Sequence, residues 1–206
     1  MKPARRPSHQ HLRLFENRFF EFFTVFPLGG FLVLWPLVIL AIAATAIVTA
    51  PSWWAPVLFA AGWLAWTGVE YILHRFVFHL EPRSEKLKQV VFVIHGNHHA
   101  DPNDPLRNLM PPIVSVPLGG LIWAGSVYLA GPVASWFFLG FVVGYVVYDL
   151  VHYCCHQSAM KGGLARMLKA HHMRHHFHHA AGNFAITGMI WDRLLATHIT
   201  SQKVEG

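Results

Sequence analysis

The stretch PVASWFFLGFVVGYVVYDLV, residues 132–151, runs directly into HYCCH, residues 152–156. The first part has the length of a membrane-spanning helix, which needs about 20 mainly apolar residues, and Asp149 is its one charged residue. The second part places His152 and His156 four residues apart, so the two imidazoles share a helix face. The sequence therefore predicts a membrane helix that ends in a pair of metal-binding side chains.

Three other apolar stretches, Leu28–Ala50, Trp53–Leu73 and Pro112–Ala130, are also long enough to cross a bilayer. Only 13% of the 206 residues are charged, whereas soluble domains carry roughly 25%. Short turns at 49–52 and 130–132 separate the first pair of stretches and the second pair. We therefore predict an all-α integral membrane protein with four transmembrane helices arranged in two hairpins.

The 16 Lys and Arg residues all lie outside the spans and outside both predicted turns. By the positive-inside rule this distribution places both termini and the segment between the second and third spans in the cytoplasm. The basic balance therefore indicates membrane orientation, and we expect no nucleic-acid partner. We expect a multi-pass protein of the bacterial inner membrane in preference to the endoplasmic reticulum.

The N-terminal segment, residues 1–24, is basic and aromatic, which is typical of a helix that lies in the membrane interface. Its apolar block begins too late for a cleaved secretory signal. His9 and His11 lie in this basic tail, and we assign them no role. We expect residues 1–206 to form a single membrane domain.

Ten of the 16 histidines fall into four clusters beside these apolar stretches. Ten imidazoles are too many for one ion, because zinc sites take about four ligands. They suit two metal ions about 3.5–4 Å apart, as in two-metal enzymes. The clusters are His74 and His79; His95, His98 and His99; His152 and His156; and His172, His175 and His176. We therefore predict a dimetal site held by a helical cap on the cytoplasmic side.

Helical spacing decides which histidines can act together, because residues three or four apart share a face. His74 and His79 are five apart, about 140° around an ideal helix. We therefore expect them to flank a helix distortion or a helix end, or to serve different metals. In the last cluster the spacing leaves three registers open: His172 with His175 and His176, His171 with His175, or His175 with His179.

Two acidic residues lie within the spans, where a charge is costly and usually has a partner. Glu70 precedes His74 by four residues, and Asp149 precedes His152 by three. A carboxylate that accepts the distal N–H of a metal-bound imidazole fixes its tautomer. We therefore expect Glu70 and Asp149 to support ligands without binding metal, and Asp192 is a weaker candidate for the same role.

Four motifs carry a resemblance to a known family. They are EYxxHRFxFH at 70–79, HGxHH at 95–99, YDxxHYxxH at 148–156 and KAHHxxHHF at 169–177. They resemble the fatty acid hydroxylase family of membrane non-haem di-iron oxygenases, and within it the sphingolipid fatty acid 2-hydroxylases. The resemblance runs from about Trp66 to Thr197, which is most of the chain.

The resemblance implies that the ten clustered histidines are the metal ligands, with His172 first in the last motif. His178 and His179 then fall outside the ligand set, and no catalytic residue is expected beyond the ligands. Two iron ions are the implied cofactors, with O2 as co-substrate, although zinc can occupy the same imidazoles in purified protein.

The implied activity is hydroxylation of a lipid acyl chain at carbon 2, with the substrate arriving from the bilayer. A hydroxylase or desaturase acting on another lipid, a sterol or a carotenoid is the alternative within enzymes, and a metal transporter or sensor is the alternative outside them. Many family members carry a fused cytochrome b-type domain marked by His-Pro-Gly-Gly, a motif absent here. We therefore expect a separate electron-transfer protein, either a ferredoxin with its reductase or a cytochrome b-type protein.

Overall fold

The computed structural model describes residues 12–178 and 181–200, and all regular structure within these ranges is helical. In chain order the α-helices there are α1 (Arg18–Phe22), α2 (Leu28–Thr49), α3 (Ala55–Ile72), α4 (Glu85–Val91), α5 (Asn97–Ala100), α6 (Pro112–Ala130), α7 (Ala134–Gln157), α8 (Gly163–Phe177) and α9 (Ile190–Leu194). The predicted all-α class is therefore confirmed over the part of the chain that the structure describes.

Four of these elements are long and apolar enough to cross a membrane, as predicted: α2, α3 with its extension to Phe78, α6 and α7. Proline occurs where the spans begin. The first N–H groups of a helix have no acceptor within the helix, so proline, which lacks an N–H, loses no hydrogen bond there. α2 follows Pro27, and both α3 and α6 carry proline in the first turn. α6 ends before Gly131, whose φ is 76°. Glycine adopts this backbone conformation at little energetic cost because it has no Cβ.

The central helix of the membrane part is α7, against which α2, α3 and α6 all pack. The most extensive contact joins α3 and α7, which belong to different predicted hairpins. Glycine makes this contact possible: a Cβ at Gly140 would overlap the backbone oxygen of Phe59, and one at Gly62 would overlap that of Phe137. The contact between α3 and α7 thus rests on close backbone approach of these two helices, while α6 packs on α7, its partner in the second predicted hairpin.

Two π-helical turns lie within the histidine-bearing helices. The first, Leu73–Phe78, extends α3, and the His79 N–H donates to the His74 carbonyl at 3.2 Å. An i→i+5 turn widens the helix, so that residues five apart come onto one face. The predicted distortion between His74 and His79 is confirmed. The second, Phe92–Gly96, joins α4 to α5.

The aromatic N-terminal segment has the shape expected of an interfacial helix. α1 is short, and Phe19, Phe20 and Phe22 on it are exposed. A carboxylate oxygen of Glu21 accepts from Arg107 at 2.5 Å, which ties α1 to the segment before α6. Residues 1–11, with His9 and His11, lie outside the described residues.

Candidate metal centre

The structure brings all ten clustered histidines together, in two groups of five whose ligand nitrogens lie within 4.8 Å of one another. Each group draws on helices that are far apart in the sequence. The first histidine group is His74, His79, His95, His99 and His175. The second histidine group is His98, His152, His156, His172 and His176. His74 and His79 fall in the same group, which does not favour the alternative that they serve different metals.

In the first histidine group the Nε2 atoms form a continuous set of short contacts. The Nε2 of His95 lies 3.1 Å from that of His74 and 3.0 Å from that of His99. The Nε2 of His175 lies 3.0 Å from that of His79 and 3.2 Å from that of His99. Two nitrogens bound at about 2.1 Å and at right angles to one ion are about 3.0 Å apart. The spacing therefore suits nitrogens directed at a common cation.

The second histidine group repeats this arrangement. The Nε2 of His98 lies 2.9 Å from that of His152 and 3.1 Å from that of His176. The Nε2 of His172 lies 2.8 Å from that of His156 and 3.1 Å from that of His176. All ten side chains thus present the same ring nitrogen, Nε2, to the interior of their group.

Backbone carbonyls fix the tautomer of three of these rings. The Nδ1 atoms of His74, His152 and His175 lie 2.5, 2.8 and 2.8 Å from the carbonyl oxygens of Phe184, Asn108 and Gly182 respectively. A carbonyl only accepts, so each Nδ1 donates, and in a neutral ring the Nε2 then carries a lone pair. Each of these three lone pairs is directed into its histidine group, where a metal ion would accept it. The residues present therefore fit metal ions.

Burial keeps the imidazoles of the cap neutral. Burial, with the charges of neighbouring histidines adding to it, lowers the pKa of both His99 and His175 to about 3. The same causes hold the pKa of His95, His98 and His172 well below its usual range. Neutral imidazole is the form that binds metal, so no proton has to be displaced at neutral pH.

Glu70 does not contact a histidine ring, which corrects the expected direct hydrogen bond. Its Oε1 accepts from the backbone N–H groups of Ile186, Thr187 and Gly188 at 3.1, 2.8 and 3.3 Å. Its Oε2 accepts from the Thr187 hydroxyl at 2.5 Å. The carboxylate thus fixes the loop that begins at Phe184, whose carbonyl faces His74, and it acts on this ligand through the loop.

Asp149 is also displaced from its expected partner. Its Oδ2 accepts from the Met110 N–H at 3.1 Å and from the Tyr145 hydroxyl at 2.9 Å. Met110 is two residues from Asn108, the carbonyl of which faces His152. The physical reason is the same as for Glu70. A loop crosses the end of the span, and its backbone N–H groups donate to the carboxylate in place of the imidazole.

Asp192 does contact a histidine, although the ring is His171, which belongs to neither group. Its Oδ2 accepts from His171 Nε2 at 3.0 Å and from the Ala185 N–H at 2.9 Å. Its Oδ1 accepts from the Phe184 N–H at 2.8 Å and from the Thr197 hydroxyl at 2.7 Å. Burial alone would raise the pKa of Asp192, but hydrogen bonds led by that from His171 outweigh it and lower the pKa.

The same geometry decides between the registers left open by spacing. His172, His175 and His176 all contribute to the two groups, while His171 is directed to Asp192. His178 belongs to neither group, and His179 lies outside the described residues. The carbonyls of Phe184, Asn108 and Gly182 carry no sequence signal, because any residue supplies a carbonyl.

A cavity of ≈ 650 Å³, here called the outer cavity, reaches both histidine groups. Its lining includes aromatic side chains of the N-terminal segment, among them Phe19 and Phe20, together with His95 of the first histidine group and His98 and His152 of the second. An apolar molecule that lies against α1 therefore has room to reach the histidines.

The fold and the site together define a multi-pass helical membrane protein with a histidine centre suited to metal ions. The profile of the fatty acid hydroxylase family matches residues 59–197. The chain belongs to this family, which confirms the resemblance carried by the four motifs. Membership of the family indicates that the chain is an enzyme.

Relatives and a solved structure agree with this assignment. A fatty acid 2-hydroxylase of Homo sapiens is 38% identical over 160 residues, which cover 76% of this chain and 43% of that protein. A dihydroceramide fatty acyl 2-hydroxylase of Arabidopsis thaliana is 35% identical over 189 residues, covering 90% and 79%. The structure of full-length scs7p, with only its hydroxylase domain visible, matches with a TM-score of 0.81 and 32% identity, covering 88% of this chain and 70% of that one.

The chain thus spans less than half of the human relative and about four fifths of the plant one. Both relatives come from eukaryotes, which does not favour the bacterial inner membrane expected from the sequence.

Proposed function

We propose that this chain hydroxylates a lipid acyl chain at carbon 2, with one iron ion in each histidine group and O2 as co-substrate. The substrate is a fatty acid or the N-acyl chain of a sphingolipid. One observation carries the proposal: the outer cavity is lined both by aromatic side chains of the N-terminal segment and by histidines of both groups. The names of the relatives, which are 2-hydroxylases of fatty acids and of dihydroceramide, support the same reaction.

Iron supplies redox chemistry that zinc lacks: when bound, it activates O2 toward an unreactive C–H bond. In the balanced reaction one oxygen atom enters the C–H bond. The other leaves as water, which takes two electrons and two protons from outside. The protein residues hold the metals through Nε2 and keep the rings in one tautomer through the carbonyls of Phe184, Asn108 and Gly182.

The position of the histidine groups favours carbon 2. His74 lies near the end of the α3 span and His152 near the end of α7, so both groups sit at one margin of the membrane part. Carbon 2 is next to the polar carboxyl or amide carbon, which stays at the interface, whereas mid-chain carbons lie deeper. A metal transporter would place its ligands near mid-membrane, along a path between spans, so the same position weighs against transport.

The distribution of charge supports a cytoplasmic active site with a separate electron donor. Exposed basic residues surround the cap at Arg83, Lys86, Lys88, Lys161 and Arg166. Basic segments of a membrane protein lie on the cytoplasmic side of the bilayer. They also attract an acidic redox protein by electrostatic steering. A ferredoxin or a cytochrome b-type protein has the chemistry required of this partner.

Lipid mass spectrometry of cells that express the chain under 18O2 tests the proposal. We expect acyl lipids that gain one labelled oxygen at carbon 2. His152→Ala should abolish this product, and His178→Ala, a change outside both groups, should retain it. A hydroxyl at a mid-chain carbon or on a sterol ring, or no labelled lipid in cells that accumulate the folded protein, would contradict the assignment.

A further inference from the structure

A second cavity lies within the membrane part, between α2, α3, α6 and α7. This inner cavity has a volume of ≈ 300 Å³, and its walls include Trp35, Ile42, Trp66, Gly119, Phe138 and Val142. The two hydroxyl groups in its lining are already engaged, since Ser115 donates to the Pro111 carbonyl and Tyr145 donates to Asp149. The inner cavity therefore offers a largely apolar surface to its occupant, apart from the indole N–H groups of Trp35 and Trp66, which have no hydrogen-bond partner.

The inner cavity adjoins the outer cavity that reaches the histidines. Leu73, Met110 and Leu118 line both. Phe138, in the wall of the inner cavity, precedes His152 by fourteen residues on α7, about 21 Å at 1.5 Å per residue. An acyl chain that extends from the histidine groups along α7 would therefore lie in apolar space over about two thirds of a 30 Å hydrocarbon core.

Missing side chains on α6 keep the inner cavity open. Gly119 and Gly120 are adjacent in its wall. A Cβ at Gly119 would meet Phe138 at 3.8 Å, an ordinary contact, and one at Gly120 would meet nothing within 4 Å. α6 is fixed to α7 beyond this point, where the Trp123 indole donates to the Ser135 hydroxyl at 3.0 Å. A larger side chain at Gly119 therefore projects beside Phe138, into the space between the two helices.

We propose that the inner cavity holds the distal part of the substrate acyl chain and that Gly119 sets the length of chain the enzyme accepts. The inference rests on the proposed hydroxylase function. The occupant follows from adjacency, because the inner cavity shares three wall residues with the outer cavity that reaches the histidines, and from the largely apolar lining. Each methylene that loses its place in an apolar site weakens binding about fourfold.

Chain-length profiles of the 2-hydroxy lipids test the proposal in cells. We expect Gly119→Leu to shift the products toward shorter acyl chains, by about fourfold for each excluded methylene, and Gly119→Ala to shift them less. Gly125→Leu is the matched control, because Gly125 lies on the same helix, has open space around it and does not line the cavity. An unchanged profile in an active Gly119→Leu enzyme would overturn the proposal.

A second measurement does not depend on activity. A ceramide with a photoreactive diazirine near the methyl end of its N-acyl chain is bound to the purified protein in vesicles, and the cross-linked residues are mapped. We expect labelling at Phe138 and Val142, reduced in Gly119→Leu and unchanged in Gly125→Leu. Labelling confined to outward residues such as Leu121 and Leu129, which are 72% and 84% exposed, would overturn the proposal.

The two measurements separate the inference from the function on which it rests. If wild-type cells make no 2-hydroxy lipid, the proposed function fails, while cross-linking still decides whether the inner cavity holds the chain. If 2-hydroxy lipid forms but neither Gly119 variant changes its length or the labelling, the proposed function stands and the inference fails.

Discussion

Replacing Glu70 with alanine should release metal from one histidine group and leave the other occupied. In the structure Glu70 accepts three backbone N–H groups, from Ile186, Thr187 and Gly188, and one hydroxyl. The loop that contains these groups begins at Phe184, whose carbonyl faces His74 of the first histidine group. Nothing in this chain of contacts touches the second histidine group directly.

The magnitude follows from the hydrogen bonds that are lost. A buried N–H without a partner costs roughly 1–3 kcal/mol, and Ile186 is 1% exposed. Loss of this partner at Ile186 alone therefore costs about 1–3 kcal/mol, and the half-buried N–H groups of Thr187 and Gly188 add to it, so the loop should relax. The Phe184 carbonyl then no longer fixes His74, and losing such a partner lowers metal affinity about 10–100-fold, roughly 1.4–2.7 kcal/mol.

The assay is metal content of the purified protein after dialysis against increasing chelator. Wild type should lose its two metals together, whereas Glu70→Ala should pass through a range with one metal per chain. Asp149→Ala supplies the reciprocal case, because it frees Met110 and thereby the Asn108 carbonyl that holds His152 of the second histidine group. Glu70→Gln should lose less than Glu70→Ala, because its amide oxygen still accepts the three N–H groups. If both sites weaken equally in Glu70→Ala, or neither does, the reasoning from loop to ligand is refuted.

Three further changes test the packing and the limits of the ligand set. Gly140→Ala should lower the thermal unfolding temperature in detergent, because its Cβ overlaps the Phe59 carbonyl, whereas Gly125→Ala, with open space around it, should not. His178→Ala should keep two metals by elemental analysis, and metal loss there would contradict the assignment of the two groups. Arg107→Ala should destabilise the fold by about 3 kcal/mol, measured by denaturant unfolding, because it leaves Glu21 without the partner that ties α1 down; unchanged stability would contradict this.

The spans and the histidine clusters could be read from the sequence because their signals are local. A stretch such as 132–151 needs only length and hydropathy to be recognised as a span, and His95, His98 and His99 need only helical spacing to share a face. The pair His74 and His79 marks the limit of this reasoning. Their spacing indicates a distortion, but only the structure shows a π-helical turn that brings both side chains to one group.

The supporting contacts could not be read because they join segments distant in the chain. Glu70 was expected to contact His74, four residues away, and instead holds a loop 116–118 residues away. Burial of an acid predicts that it has partners, not which ones. His171 shows the same limit, because its spacing allows it to be a metal ligand. Only the structure shows that its ring donates to Asp192, which the C-terminal loop brings near.

The indirect position of the two carboxylates has an electrostatic consequence. The ten Nε2 ligands are neutral, so two divalent ions would bring four positive charges into a buried site with no anionic ligand. Glu70 and Asp149 are 2% and 3% exposed and accept hydrogen bonds from four and two donors respectively. Each carboxylate, when ionised, would offset part of the metal charge from behind a backbone loop. A direct carboxylate ligand would fill a coordination position that O2 and substrate need, whereas a carboxylate behind the loop leaves it open.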